Sequence, residues 1–200
     1  MSSETKPKID MDPKYLAKLS MILLAFSAVV ALLLGVVNGV TKDKIIAINA
    51  EKTAKAMSAV VEDASSTFEE LDVGEAAVAA AAEFNKTKLV SLYEVKAGGE
   101  TVGHVCQVIT GGSQGDITMV VGTDATGAVT GTSIVKMSET SGLGTKANED
   151  SWRAQFIGAA EPVAVDKDGG TIAALSGATV SSRAVVCGVN AAIAAVKTLG

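Results

Sequence analysis

The stretch Ser176-Gly177-Ala178-Thr179-Val180-Ser181-Ser182 decides how the C-terminal part of the chain folds. Before it, residues 171–175 form an apolar, strand-like run. After it, residues 183–199 are rich in Ala and Val in a helix pattern. A tight Ser-Gly turn between the two delivers Ala178 and Thr179 to the start of that helix. The first N–H groups of a helix have no partner within it. Those groups and the helix dipole favour an anion, so a phosphate fits at Val180, Ser181 and Ser182, with the Thr179 hydroxyl beside it. The simpler interpretation makes Thr179, Ser181 and Ser182 N-cap residues, which are far commoner than ligand sites.

The chain has 200 residues, enough for one ordinary domain with something attached. Hydrophobic residues make up 48% and aromatics 4%, so the core must be built from Ala, Val, Ile and Leu. A net charge of −5 argues against nucleic acid, whose binders carry basic patches. Cys106 and Cys187 lack metal-ligand spacing and read as two small buried thiols, with a disulfide left open. The single histidine, His104, has no Cys, Asp or Glu cluster beside it, so no metal site is expected. A Ser hydrolase on Ser176 fits poorly, because there is no Gly-x-Ser-x-Gly elbow and no evident base beside it.

Residues 1–18 are polar, and Pro7 and Pro13 discourage regular structure in most of that tail. Residues 19–40 then run without a charge. As a helix they span about 33 Å, enough for a hydrocarbon core of about 30 Å. The run exceeds the apolar region of a secretory signal peptide, so an uncleaved transmembrane anchor is expected over cleavage near Val37-Asn38-Gly39. Lys6, Lys8, Lys14 and Lys18 before the span nearly balance Lys42, Lys44, Lys52 and Lys55 after it, so charge alone does not orient it. Thr41 caps a second expected helix over 41–61, with Ile46, Ala50, Ala54, Met57 and Val61 at helical spacing. That helix serves as a stalk for partner subunits, as the first helix of the domain packed on its sheet, or as both.

Residues 62–72 read as an acidic turn and 75–84 as an Ala-rich helix. Residues 89–95 and 101–109 read as a hairpin around Gly98-Gly99, and 117–121 and 128–135 as another around Asp124-Ala125-Thr126-Gly127. Such hairpins give antiparallel neighbours. Residues 148–156 read as a helix capped by Asn148, with Trp152 and Phe156 on one face. Residues 162–165 read as a short strand, with a turn at 166–170. The fold class is therefore α+β: a mainly antiparallel sheet flanked by helices, after one N-terminal transmembrane helix. The expected divisions are a tail at 1–18, an anchor at 19–40 and a domain at 41–200.

Two motifs carry a resemblance. Ser-Gly-Ala-Thr followed by Val-Ser-Ser-Arg-Ala-Val resembles the flavinylation motif of the FMN-binding domain family. Ser138-Glu139-Thr140-Ser141-Gly142-Leu143-Gly144-Thr145-Lys146 resembles that family's Glu-Thr-Pro-Gly-Leu-Gly loop, with Ser141 in the Pro position. The family includes the G subunit of Rnf complexes and the C subunit of the sodium-pumping NADH:quinone oxidoreductase. The resemblance implies FMN attached to Thr179 through its phosphate, a phosphoester made by a separate flavin transferase. It implies a cofactor pocket of Ser176, Gly177, Ala178, Val180, Ser181, Glu139, Thr140, Gly142, Leu143, Gly144 and Thr145, with Lys146 either offsetting phosphate charge or, the commoner fate, an exposed loop lysine. Many members have an Asp three residues before the motif's first hydroxyl residue; here that position is Ala173. The Gly-rich loop at 111–116 is either a flexible hairpin loop or a close backbone approach to the flavin. Trp152 is expected to anchor its helix rather than stack on the flavin.

The implied function is a membrane-anchored flavoprotein that carries electrons in a redox-driven, Rnf-like ferredoxin:NAD complex that moves sodium ions or protons. Its partners would be the other membrane subunits, the flavin transferase and the lipid bilayer, with the N-terminus cytoplasmic and the FMN domain outside. The alternative is an anchored adapter without redox chemistry, or a module that binds FMN or another phosphate ligand reversibly.

Overall fold

A computed structural model describes residues 12–61 and 65–199. Residues 1–11 of the expected tail at 1–18 and residues 62–64 of the acidic turn lie outside the described residues. The chain divides into two units, Met1–Ile48 and Asn49–Gly200.

Helix α1 spans Pro13–Ala59 without a break. It starts inside the segment expected to be an irregular tail. Pro13 takes the first helical position, where a missing N–H costs nothing, and Asp12 Oδ1 accepts the Lys14 N–H at 3.0 Å. Thr41 does not cap a second helix. Its hydroxyl donates to the Val37 carbonyl one turn back at 2.8 Å, so the threonine sits inside the helix. Every residue of the uncharged run 19–40 is exposed. Apolar side chains surround this part of the helix, which is long and apolar enough to cross a membrane.

The second unit is built on a five-stranded antiparallel sheet in the order β1-β2-β3-β4-β5. The strands are β1 (Thr67–Leu71), β2 (Lys88–Ala97), β3 (Glu100–Gly111), β4 (Asp116–Asp124) and β5 (Val129–Lys136). Alternation gives the sheet two apolar faces. Register lines up Leu71, Leu92, Cys106 and Val121 across four strands, and Leu89, Val108, Met119 and Ile134 in a neighbouring row. This face packs on helix α4 (Thr179–Lys197) through buried Val185, Val189, Ala192 and Val196. Helix α2 (Glu75–Ala82) buries Ala77 and Ala81.

The opposite face holds Val95, Val105 and Val120, covered by Ala56, Met57 and Val60. Val60 reaches the sheet because Gly122 has no side chain: a Cβ there would stand 2.4 Å from the Val60 carbonyl oxygen. That oxygen instead accepts the Thr130 hydroxyl at 2.6 Å. Both cysteines are free; burial pushes the Cys106 thiol up to about 12.

Three local expectations are corrected. Residues 67–71 form edge strand β1 rather than a turn, because pairing with β2 supplies what an acidic sequence does not. Residues 162–165 and 171–175 are not strands; one parallel bridge, Val165 to Ile172, joins them. Residues 148–156 are not one helix. A 3-10 turn at Gly144–Asn148 is followed by helix α3 (Asp150–Arg153), with Glu149 at its cap, and a second 3-10 turn at Ala154–Phe156. Trp152 is an anchor: it meets Phe156 edge-on at 5.4 Å and donates its indole N–H to the Ala173 carbonyl at 2.8 Å.

Candidate functional site

Three chain segments converge at the start of α4 around a cleft of about 340 Å³. The Gly-rich loop contributes Ser113. The loop after β5 contributes Glu139, Thr140, Leu143 and Gly144. The turn into α4 contributes Gly177, Ala178, Thr179, Val180 and Ser181, and Lys167 arrives from the turn before it. Volumes of this order are usual for ligand sites, roughly 300–1,000 Å³.

Glu139 ties the three segments together. One carboxylate oxygen accepts the backbone N–H groups of Ser113 and Gln114 at 2.8 and 3.2 Å. The other accepts the Ser181 hydroxyl at 2.5 Å. The residue is 7% exposed, and a carboxylate so far from water needs such donors. Two glycines make room for it. A Cβ at Gly112 would stand 2.2 Å from its Oε1, and one at Gly144 would stand 2.7 Å from its Cβ. Glu139 is thus a clamp whose charge is already answered by protein donors.

The helix start differs from the expected capping. Ala178 takes the cap position, with φ −135° and ψ 39°, and offers no side-chain cap. Thr179 is the first helical residue. Ser182 instead joins helix to turn, accepting the Leu175 N–H and donating to the Ala178 carbonyl, each at 3.0 Å. No side chain caps the first N–H groups of α4, and the residues that carry them, Thr179, Val180 and Ser181, line the cleft. Half-buried Thr179 stands at that opening, and its Oγ1 accepts from Lys167 Nζ at 2.8 Å.

Of the expected pocket residues, Thr179, Gly177, Ala178, Val180, Ser181, Glu139, Thr140, Leu143 and Gly144 line the cleft. Ser176, Gly142 and Thr145 do not. Gly142 and Thr145 shape the loop instead: the Gly142 N–H donates to Thr145 Oγ1 at 3.0 Å. Ser176 lies in the turn made possible by Gly177 at φ +74°. Lys146 falls in the 3-10 turn, exposed and off the cleft, and the lysine that lines the cleft is Lys167. His104 is not among the lining residues either, and no metal-binding cluster occurs among the described residues. Lys167 and Ser113 are the additions. Ser113 belongs to the Gly-rich loop at 111–116. Lys167 carries no local signal, because only the folded turn brings it to Thr179. A carboxylate also reaches the segment around Ala173 from elsewhere in the chain: Asp166 Oδ1 accepts the Ala174 N–H at 3.1 Å.

Comparison with known proteins shows the family. The FMN-binding domain family matches residues 112–194, which include every residue lining the cleft. The chain is 36% identical to the G subunit of the Na(+)-translocating ferredoxin:NAD(+) oxidoreductase complex of Acetobacterium woodii, over 98% of this chain and 99% of that protein. It is 31% identical to the G subunit of the ion-translocating oxidoreductase complex of Methanosarcina acetivorans, over 91% and 95%. It is 37% identical to the G subunit of the proton-translocating ferredoxin:NAD(+) oxidoreductase complex of Clostridium ljungdahlii, over 53% and 60%. The cleft suits the phosphate end of FMN, having uncapped helix N–H groups, a cation and a hydroxyl beside a carboxylate already satisfied by donors.

Proposed function

This chain belongs to the family of FMN-binding G subunits of ion-translocating oxidoreductase complexes, and from that premise we propose that it carries electrons through FMN joined covalently to Thr179. Bound FMN would supply the redox chemistry. The protein supplies attachment, placement and electrostatics. Thr179 is a tether, and its half-buried hydroxyl at an uncapped helix start is the observation that carries the reading. The helix N–H groups would hold the phosphate, while Thr140 and Ser113 supply polar contacts along the cleft. Leu143 and Val180, exposed at 43% and 54%, supply apolar surface for a flat ring. A phosphoester lies far from the ring, so the tether serves retention of the cofactor rather than tuning.

The uncharged part of α1 would be a single membrane anchor, with the N-terminus cytoplasmic and the FMN domain outside, among the other membrane subunits of an Rnf-like complex. A flavin transferase would complete maturation.

The test is flavin fluorescence in a denaturing gel after co-expression with a flavin transferase, wild type beside Thr179→Val. The expected result is a fluorescent wild-type band and a dark variant. A dark wild-type band, with the transferase active on a control protein, would overturn covalent attachment and leave reversible binding or an adapter role.

A further inference from the structure

We propose that Lys167 is the cation that receives the phosphate joined to Thr179; the inference rests on Thr179 being the attachment site. Lys167 is the cationic residue on the cleft, with its Nζ 2.8 Å from Thr179 Oγ1. The turn that carries it is pinned on both sides. Asp166 Oδ1 accepts the N–H groups of Lys167 and Ala174 at 2.8 and 3.1 Å. Asp168 is gripped by Arg183, whose Nε and terminal nitrogen donate at 2.7 and 2.6 Å to its two oxygens. Arg183 sits one turn after Thr179 on α4. The helix that bears the hydroxyl therefore also fixes the turn that bears the lysine.

The acidic neighbours of Lys167 are thus engaged elsewhere. Asp166 faces backbone N–H groups and Asp168 faces Arg183, and Lys167 forms no ion pair among the described residues. Its side-chain partner is a neutral hydroxyl, a weaker acceptor than a phosphate oxygen. During attachment, the Thr179 Oγ to phosphorus bond forms and the phosphoanhydride bond of an activated flavin nucleotide breaks. The nucleotide leaving group departs, and the hydroxyl proton passes to a base of the transferase. No electrons change hands. Lys167 neutralises charge gathering on the phosphate oxygens, and afterwards it answers the single negative charge of the phosphodiester. The uncapped N–H groups of α4 act from the other side.

The experiment uses the full chain co-expressed with the transferase. It compares wild type, Lys167→Met, Lys167→Arg and Thr179→Val. The first readout is the initial rate of covalent flavin incorporation. The second is the phosphorus NMR shift of the labelled protein. Lys167→Met is expected to label about tenfold more slowly, with a displaced phosphorus resonance, and Lys167→Arg to restore both. Lys167 is exposed and its loss leaves the Arg183–Asp168 fork in place, so circular dichroism should match wild type for both variants. Equal rates and an unmoved resonance in Lys167→Met would overturn the inference while leaving the attachment site standing. So would a Lys167→Arg protein as slow as Lys167→Met, because the charge would then not be the cause. An unlabelled wild type overturns the attachment reading, and this inference with it.

Discussion

Thr179 and Ser181 are two hydroxyls in the first turn of one helix, and their surroundings are opposite. Ser181 is buried and donates to a buried carboxylate that also holds the Gly-rich loop. Thr179 is half-buried, opens on the cleft and accepts from a lysine. One side of the turn is closed by protein groups that satisfy each other. The other side has an uncapped helix start and a lysine, both on the cleft. A hydroxyl already donating to a buried carboxylate is committed to the fold, whereas the Thr179 hydroxyl on the cleft holds no buried group in place.

The largest way to break this comparison is to exchange the two roles. Thr179→Val should abolish covalent flavin while leaving the melting temperature near that of wild type, whereas Ser181→Ala should keep the flavin label. Labelled Thr179→Val would place the attachment elsewhere and dissolve the contrast.

The interior side should dominate stability. Glu139→Ala leaves the N–H groups of Ser113 and Gln114 and the Ser181 hydroxyl without their acceptor, and should cost on the order of 2–4 kcal/mol in chemical denaturation. Ser181→Ala removes one of those donors and should cost about 1 kcal/mol. If the two variants were equally mild, Glu139 would not be the clamp that its contacts describe.

The smallest effect is expected at the Asp168–Arg183 fork. The Arg183 guanidinium holds the Asp168 carboxyl below its ordinary value. A carboxyl so depressed stabilises the fold above its unfolded pKa, and that contribution is lost as pH falls through the folded value. The melting difference between wild type and Asp168→Asn should therefore be small and flat from about pH 8 to pH 5, closing only below the ordinary carboxylate value near 4. A difference that vanished between pH 8 and 6 would point to another titrating group.

Much of the site was legible because its residues are close in sequence. Ser176 to Ser182 contains both the turn and the helix start, and the loop from Glu139 to Thr145 carries its own glycines. The legible part was residue identity, and the illegible part was role. Glu139 was expected in the pocket; it lines the cleft and, beyond that expectation, fastens three segments. Lys146 was expected either to offset phosphate charge or to be an exposed loop lysine, and it is exposed; the lysine at Thr179 is Lys167, delivered by a turn with no distinctive composition. Edge strand β1 was hidden for a similar reason, since its strand character comes from its partner.

Periodicity and hydropathy alone determined the hairpins, the antiparallel sheet and the apolar helices near the two ends of the chain. These are local properties, repeated every two or every three to four residues. Helices α1 and α4 are both long and apolar enough to cross a membrane, α1 by the wider margin, and passing that threshold does not by itself separate them. Tertiary structure does: α4 is packed against the sheet and α2, with Asn190 satisfied by Val163, while every residue of the run from 19 to 40 is exposed. Only folding, likewise, decided which hydroxyl faces a carboxylate and which a cation, because those contacts span 42 and 12 residues of sequence. Burial and charge pairing depend on what arrives from elsewhere in the chain, and no local pattern records it.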